Sequence, residues 1–164
     1  MYKVGEYVVH PGQGVCEIKK ISEGDRPFYM LMPVGQRNPM LISFPVAAQD
    51  RLRPVLSRQE AENLIAEYPT MPVEHYKDRS TALEEEHFKR EIRNGSCEDT
   101  VRIVKTFRKR IADVKARNKK PPVVFERILK KASERSLCEM AVALDTTSDA
   151  VEEQFKESVD NAQN

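Results

Sequence analysis

Glycine and proline are concentrated in the first third of this 164-residue chain, and their placement limits its fold more than any other feature. Five of the six glycines and six of the ten prolines precede residue 57. Both residue types suit tight turns and interrupt helices. Between them lie four short runs of mainly apolar residues, at 7–9, 15–18, 28–32 and 40–44. Residues 1–56 are therefore predicted to form a small, strongly bent β-sheet or barrel.

Residues 73–164 are predicted to be helical, because Gly95 and a proline pair at 121–122 are the only helix breakers there. Ser80 and an acidic first turn begin one helix, which ends at Asn94. On the remaining helices apolar residues recur at three- and four-residue spacing. They are Val101, Val104, Phe107, Ile111 and Val114, then Phe125, Ile128, Leu129, Ala132, Leu137, Met140, Ala141 and Leu144, and finally Val151 and Phe155 on an acidic last helix.

Two local signals mark the starts of the long helices. Ser96 followed by Asp99 resembles a capping box in which aspartate replaces the usual glutamate. Proline is favoured at the first positions of a helix, so the pair at 121–122 is expected to begin the next one.

The predicted fold class is α+β, with a β domain at 1–56 and a helical domain at 73–164. Residues 57–72 are predicted to be a short connecting helix and a linker between them. A β unit of this size without disulfides has a thin core, so we expect it to pack on its neighbour.

The sequence favours a cytoplasmic protein. No run of about 18 apolar residues is present, and the N-terminus lacks the apolar segment of a secretion signal. Cys16, Cys97 and Cys138 are scattered and form no CxxC pair. Such a pattern is typical of reduced thiols in the cytosol.

No motif in the chain indicates an enzyme. The Gly12–Gly14 turn lacks the third glycine of a dinucleotide site and the lysine of a P-loop. His10, beside a proline, and His87, in an acidic helix, are interpreted as structural or surface residues. We therefore expect no catalytic residues, no cofactor and no metal.

The net charge of +1 conceals two opposed segments. Residues 101–120 carry nine lysines and arginines against Asp113, whereas residues 139–164 carry seven acids against Lys156. A basic surface of this kind suits a polyanion. A helix with an ordinary solvated face explains the same pattern, and charge alone does not decide between them.

Residues 2–18 read YKVGEYVVHPGQGVCEI and resemble the opening of the CarD family of bacterial transcription regulators. The family pattern is GD-x-VVYP-x-x-G followed by a strand. Here Glu6 stands for the acid and His10 for the tyrosine.

The resemblance continues through the rest of the chain, to residue 158. Phe44 and Pro45 close the sheet region as in the family, and Gly95 resembles a family turn before a helix. EMAVAL at 139–144 resembles the ELALAL helix of the family. The order of these motifs matches the β-then-α layout.

The resemblance implies a non-enzymatic RNA polymerase factor. Family members carry an N-terminal Tudor-like domain that binds the β subunit of bacterial RNA polymerase. Their helical domain contacts promoter DNA at the upstream edge of the transcription bubble, in the minor groove and at phosphates, and stabilises the open complex. We expect a monomer, associated with polymerase and the nucleoid.

Many family members use a tryptophan of the helical domain as a wedge in the minor groove, but this chain has no tryptophan. Tyr76 is the nearest aromatic residue in the matching region, followed by Lys77 and Arg79. A more polar wedge should hold the bubble less well. Packing of Tyr76 against a linker is the alternative.

The predicted DNA contacts are cations of the helical domain, which bind phosphates without reading sequence. Besides Tyr76, Lys77 and Arg79, they are Lys105, Arg108, Lys109, Arg110, Arg127, Lys130 and Lys131. The predicted polymerase contacts lie along an exposed sheet edge and its surroundings, as the resemblance implies. They are Arg26, Leu41, Ile42, Ser43, Phe44 and Arg53.

Three rival interpretations remain at this stage. A helix-turn-helix repressor could use residues 137–144 and the helix from Ala150, although that helix is too acidic for a major groove. A protein-interaction module without nucleic acid is the second. A repair-type polymerase partner is the third, because the Tudor-like module recurs in a transcription-repair coupling translocase; no ATPase motif supports it.

Overall fold

The computed structural model describes all residues 1–164, which divide into two compact units, Met1–Leu56 and Ser57–Asn164. The first is a five-stranded antiparallel sheet and the second is helical. The predicted α+β class is therefore confirmed. Residues 57–72, which we expected to connect two domains, belong to the second unit.

The sheet of the first unit has the strand order β4-β3-β2-β1-β5. Each of the four predicted runs overlaps one strand, whereas a short 3-10 helix at Val46–Arg51 and the last strand were not predicted. A strand of two residues is too short to show an alternating pattern. The strands are β1 Tyr7–His10, β2 Gly14–Ile21, β3 Phe28–Pro33, β4 Ile42–Pro45 and β5 Arg53–Pro54.

The β1–β2 turn is held by the His10 side chain. Its Nδ1 accepts hydrogen bonds from the backbone N–H groups of Gly12, at 3.0 Å, and Gln13, at 3.1 Å. Gly14 has a φ of 75°, a conformation that glycine adopts without steric cost. His10 therefore has the structural role that its place beside a proline indicated.

One face of the sheet forms the core of the first unit. Tyr29 is fully buried in it, and its hydroxyl donates to Oε1 of Gln49 at 2.7 Å. This hydroxyl also accepts from the backbone N–H of Tyr2, which brings the N-terminus onto the sheet. The buried cluster consists of Val8, Cys16, Ile18, Tyr29, Leu31, Phe44 and Leu52.

The second unit contains five α-helices. Ser80 caps the second, and Ser96 and Asp99 form the predicted capping box of the third. The proline pair precedes the fourth helix, with Pro122 at its N-cap, so these prolines lie just before its first positions. The helices are α1 Arg58–Glu67, α2 Thr81–Asn94, α3 Cys97–Ala116, α4 Val123–Leu144 and α5 Ser148–Ala162.

The core of the second unit lies where α2, α3 and α4 meet. Phe88 packs edge-on against Phe107, with ring centroids 4.9 Å apart. The cluster also contains Ile92, Ile103, Val104, Ile128 and Ala132. The predicted stripe of α3 weakens toward its C-terminus, where Ile111 and Val114 are only half-buried. None of the helices combines the length and the apolar character needed to cross a bilayer.

Residues 57–72 pack as part of this helical unit. The ring of Tyr68 lies 5.1 Å from that of Phe155 on α5, and Met71 is buried. The Ser158 hydroxyl donates to the Ile65 carbonyl oxygen at 2.6 Å. These contacts explain why the segment is not a free linker.

Candidate functional surfaces

Strand β4 is one edge of the sheet, because it pairs only with β3. Beside it, the Val46 N–H donates to the Pro27 carbonyl oxygen at 3.0 Å. Hydrogen-bonded and non-hydrogen-bonded pairs alternate along an antiparallel ladder. Pro27 and Val46 are thus a hydrogen-bonded pair. Met30–Ser43 is the third pair after it along the β3–β4 ladder, so it is a non-hydrogen-bonded pair. The N–H and C=O of Ser43 therefore point away from β3, along the free edge.

The opposite edge is less suited to receiving another strand. β5 has two residues, and one of them, Pro54, has no backbone N–H to donate. The Arg53 guanidinium donates to the Pro54 carbonyl oxygen at 3.3 Å. Arg26 is exposed in the turn before β3. The structure thus separates the predicted polymerase contacts Arg26 and Arg53, one near each edge.

The predicted polymerase contacts on β4 differ in what their side chains can do. Phe44 is buried in the core, with its ring 5.5 Å from that of His10, so its side chain cannot contact a partner. Burial of this side chain argues against a polymerase contact at Phe44. Ile42 is half-buried on the core, and Leu41 is 51% exposed. Met40, which we did not select, is 78% exposed beside them.

Lys105, predicted to contact DNA, is instead engaged inside the helical unit. Its Nζ donates to three backbone carbonyl oxygens, those of Tyr68 at 2.8 Å, Pro69 at 3.0 Å and Met71 at 2.6 Å. Burial lowers the pKa of this ammonium group. All three of its N–H donors are occupied, so a phosphate contact would require Lys105 to give up these bonds.

Arg110 is also a structural residue. Its guanidinium donates to the Tyr76 carbonyl oxygen at 2.6 Å and lies 4.9 Å from the centre of the Phe107 ring. Burial lowers its pKa from the usual arginine value. An arginine placed over aromatic rings and bonded to the backbone stabilises the fold. A DNA contact by Arg110, as predicted, would require it to leave these internal partners.

Three further predicted cations are partly neutralised by carboxylates. Lys109 lies 2.9 Å from Asp113, and Arg108 lies 3.8 Å from Glu152. Arg127 makes two parallel hydrogen bonds to Glu85, at 3.2 and 2.9 Å. These bonds, followed by those from Lys89, hold the pKa of Glu85 below its ordinary value.

Tyr76 lies in a segment that polar side chains fix onto α2 and α3. Its ring stacks on that of His87, with centroids 3.6 Å apart and planes inclined by 16°. Its hydroxyl donates to Asp78, which raises the pKa of the tyrosine. The Asp78 N–H in turn donates to the buried carboxylate of Glu84 at 2.9 Å. One face of the aromatic ring is thus already occupied.

The remaining predicted DNA contacts are exposed. Lys77 and Arg79 precede α2, and Lys130 and Lys131 lie on α4. Leu83, in the first turn of α2 near Lys77 and Arg79, is 55% exposed. We did not select Leu83 from the sequence, although its position in the helical repeat of α2 distinguishes it from the buried residues. The buried residues of α2, at 84, 88 and 92, recur every four positions and share one face of the helix. Leu83 does not fall in this series.

Sequence reasoning also missed a basic turn, defined here as Lys115, Arg117, Lys119 and Lys120, at the end of α3. All four side chains are exposed. They were included in the charge count of residues 101–120 but not selected. No group of three or more His, Cys, Asp or Glu side chains is arranged to hold a metal ion.

Comparison with known proteins identifies the first unit. The CarD-like/TRCF RID domain family matches residues 2–56, which are nearly the whole of Met1–Leu56. No curated protein matches the chain. The matched residues include the YKVGEYVVHPGQGVCEI segment and all five strands. Residues 2–56 are therefore a CarD-like/TRCF RID domain.

Proposed function

We propose that this protein is a non-enzymatic transcription regulator. In this proposal Met1–Leu56 binds the β subunit of RNA polymerase, and Ser57–Asn164 contacts promoter DNA and modulates the stability of the open complex. The observation that carries the proposal is the family match to an RNA polymerase-interacting domain that has one free, strand-long edge.

The polymerase contact is proposed at β4 through backbone hydrogen bonds. An extended segment of the β subunit would pair with the outward N–H and C=O of Ser43, as in strand addition to an exposed edge. Met40 and Leu41, both exposed, lie just before the strand and offer apolar contact. Because β5 is short and ends in proline, β4 is the better edge.

The DNA contact is proposed at the N-terminal end of α2. Lys77 and Arg79 would bind phosphates, and Leu83 would be the apolar wedge at the bubble edge. Leucine is among the side chains that proteins insert between base steps. Leu83 is 55% exposed, whereas Tyr76 would have to leave His87 and Asp78 to enter DNA. Lys130 and Lys131 remain candidates for further phosphate contacts.

A pull-down of bacterial RNA polymerase on the full chain tests the proposal. We expect the polymerase to be retained, and the bound chain to cross-link to its β subunit. If the full chain binds duplex DNA at low salt but retains no polymerase, the protein is a plain DNA-binding protein. If it binds neither, the proposed function is wrong in both parts.

A further inference from the structure

A cavity of about 380 Å³ lies where the end of α2 meets the beginning of α3. Sites for small ligands have volumes of about 300–1,000 Å³, so this cavity is large enough to hold one. The segment before α2 contributes Glu74, and the two helices contribute the other lining side chains. None of the proposed polymerase or DNA contacts lines this cavity, so the proposed function gives it no role.

The charged side chains that α3 contributes to the cavity neutralise each other. The Arg102 guanidinium lies 3.3 Å from the Asp99 carboxylate and 3.5 Å from that of Glu98. The second oxygen of Asp99 accepts from the Ser96 N–H at 3.0 Å, within the capping box. Ile103, the next residue after Arg102, adds an apolar surface. Asp99 and Arg102 therefore leave no unpaired charge for a ligand.

Two donor side chains of α2 line the same cavity without a partner. Arg90 and Asn94 are four positions apart, so they are neighbours on one face of the helix. Both side chains are exposed, and no carboxylate pairs with Arg90. Guanidinium and amide N–H groups donate to carboxylates, and bonds from a guanidinium are among the strong ones. These two residues therefore suit a carboxylate group of a ligand.

Two carboxylates of the cavity have one bonded oxygen and one without a partner. Oε1 of Glu91 lies 3.2 Å from Nε2 of His87. Oε1 of Glu74 accepts from the backbone N–H groups of His75 and Tyr76, at 3.1 and 3.2 Å. The Oε2 atoms of Glu74 and Glu91 are thus available as acceptors for positively charged groups.

The surroundings of Glu91 favour a positively charged neighbour. Burial raises the pKa of this carboxyl group, and the carboxylates of Glu74 and Asp99 raise it further, although His87 and Arg102 lower it. The ionised form of Glu91 is therefore under-compensated. An ammonium or guanidinium group of a ligand would stabilise it.

We propose that this cavity binds a dibasic α-amino acid such as arginine. The unpaired charges that line it are one guanidinium and two carboxylates, and a dibasic amino acid carries the complement, one carboxylate and two cationic groups. The ligand carboxylate would accept from Arg90 and Asn94, and the cationic groups would pair with Glu74 and Glu91. The proposal goes beyond the proposed function, because it gives the helical unit a small-molecule ligand.

Calorimetric titration of the full chain with L-arginine tests the proposal. The variant is Arg90→Gln, which removes the charge assigned to the ligand carboxylate. Its matched control is Arg93→Gln, because Arg93 is exposed on the same helix but does not line the cavity. Agmatine, which is arginine without the carboxylate, is the second probe. Thermal unfolding of each variant without ligand checks that the fold is kept.

We expect L-arginine to saturate one site on the wild type. Arg90→Gln should weaken this binding by at least roughly tenfold, since charge-assisted hydrogen bonds to the carboxylate are lost. Agmatine should bind the wild type more weakly than arginine by a similar factor, and Arg93→Gln should bind arginine like the wild type.

The proposal is overturned if the wild type shows no saturable binding of arginine up to about 10 mM. It is also overturned if Arg90→Gln binds arginine like the wild type, if the two variants lose affinity equally, or if agmatine binds as tightly as arginine. Retention of RNA polymerase by Arg90→Gln reports separately on the proposed function.

Discussion

The Nζ of Lys105 lies 2.6 Å from the carbonyl oxygen of Met71. This bond, with those to Tyr68 and Pro69, attaches α3 to the end of a short 3-10 helix at Tyr68–Thr70. Carbonyl groups at a helix end lack partners within the helix, and a lysine can supply them. Lys105 is therefore a structural cap, even though it lies in the most basic segment of the chain.

Replacing Lys105 should destabilise the helical unit. We expect Lys105→Met to lower the free energy of unfolding by about 1–3 kcal/mol, because half-buried carbonyl oxygens lose a charged donor. Lys109→Met is the control, since Lys109 makes only an exposed pair with Asp113 and should change stability little. Denaturant unfolding of the full chain measures both variants. Equal losses of unfolding free energy in the two variants would show that Lys105 does not act as a cap.

The assignment of Leu83 as the wedge predicts different effects for substitutions at Leu83 and at Tyr76. Leu83→Ala should leave the melting temperature unchanged, because the side chain is 55% exposed. It should shorten the lifetime of the open promoter complex by roughly three- to tenfold, which corresponds to about 1 kcal/mol of lost apolar contact. Tyr76→Ala should lower the melting temperature, because the stack on His87 is lost. An unchanged lifetime for Leu83→Ala would exclude Leu83 as the wedge.

The Glu85–Arg127 pair predicts a pH-dependent contribution to stability. A carboxylate whose pKa is lowered by folding stabilises the native state above the pKa of an unfolded glutamate. That stabilisation is lost as the pH falls through the lower, folded pKa. We expect Glu85→Gln to lower the melting temperature by no more than a few degrees at pH 7, and to differ less from the wild type near pH 3.

Glu86→Gln is the matched control for this experiment, since Glu86 is exposed in the adjacent position. It should follow the wild type at both pH values. A Glu85→Gln difference that is as large at low pH as at neutral pH would show that the carboxylate charge is not its cause.

The sequence predicted the elements well, because their signals are local. Glycine and proline placement located β1 to β4, and Ser80, Ser96 and Asp99 marked helix starts through bonds within one turn. The two-residue β5 has too few residues for a pattern. The internal hydrogen bonds of Lys105 and Arg110 could not be predicted, because their partner carbonyl groups are 34 to 37 positions away. Periodicity places Phe44 on a strand but does not tell which face is buried.

Strand addition at β4 is the central claim, and one residue tests it directly. Ser43→Pro removes the outward N–H, while the β3–β4 hydrogen bonds are kept because the N–H groups of Ile42 and Phe44 point inward. Proline is tolerated on an edge strand where its missing N–H would face solvent. Ser43→Ala is the control, because it removes only the hydroxyl, which donates to the Met30 sulfur at 3.4 Å.

The measurement is the affinity of the full-length wild type and both variants for purified RNA polymerase. The account predicts that Ser43→Pro weakens binding by at least roughly tenfold, since a backbone acceptor of the partner loses its donor. Ser43→Ala should bind like the wild type. Wild-type affinity for Ser43→Pro, with its fold intact, would contradict strand addition at this edge.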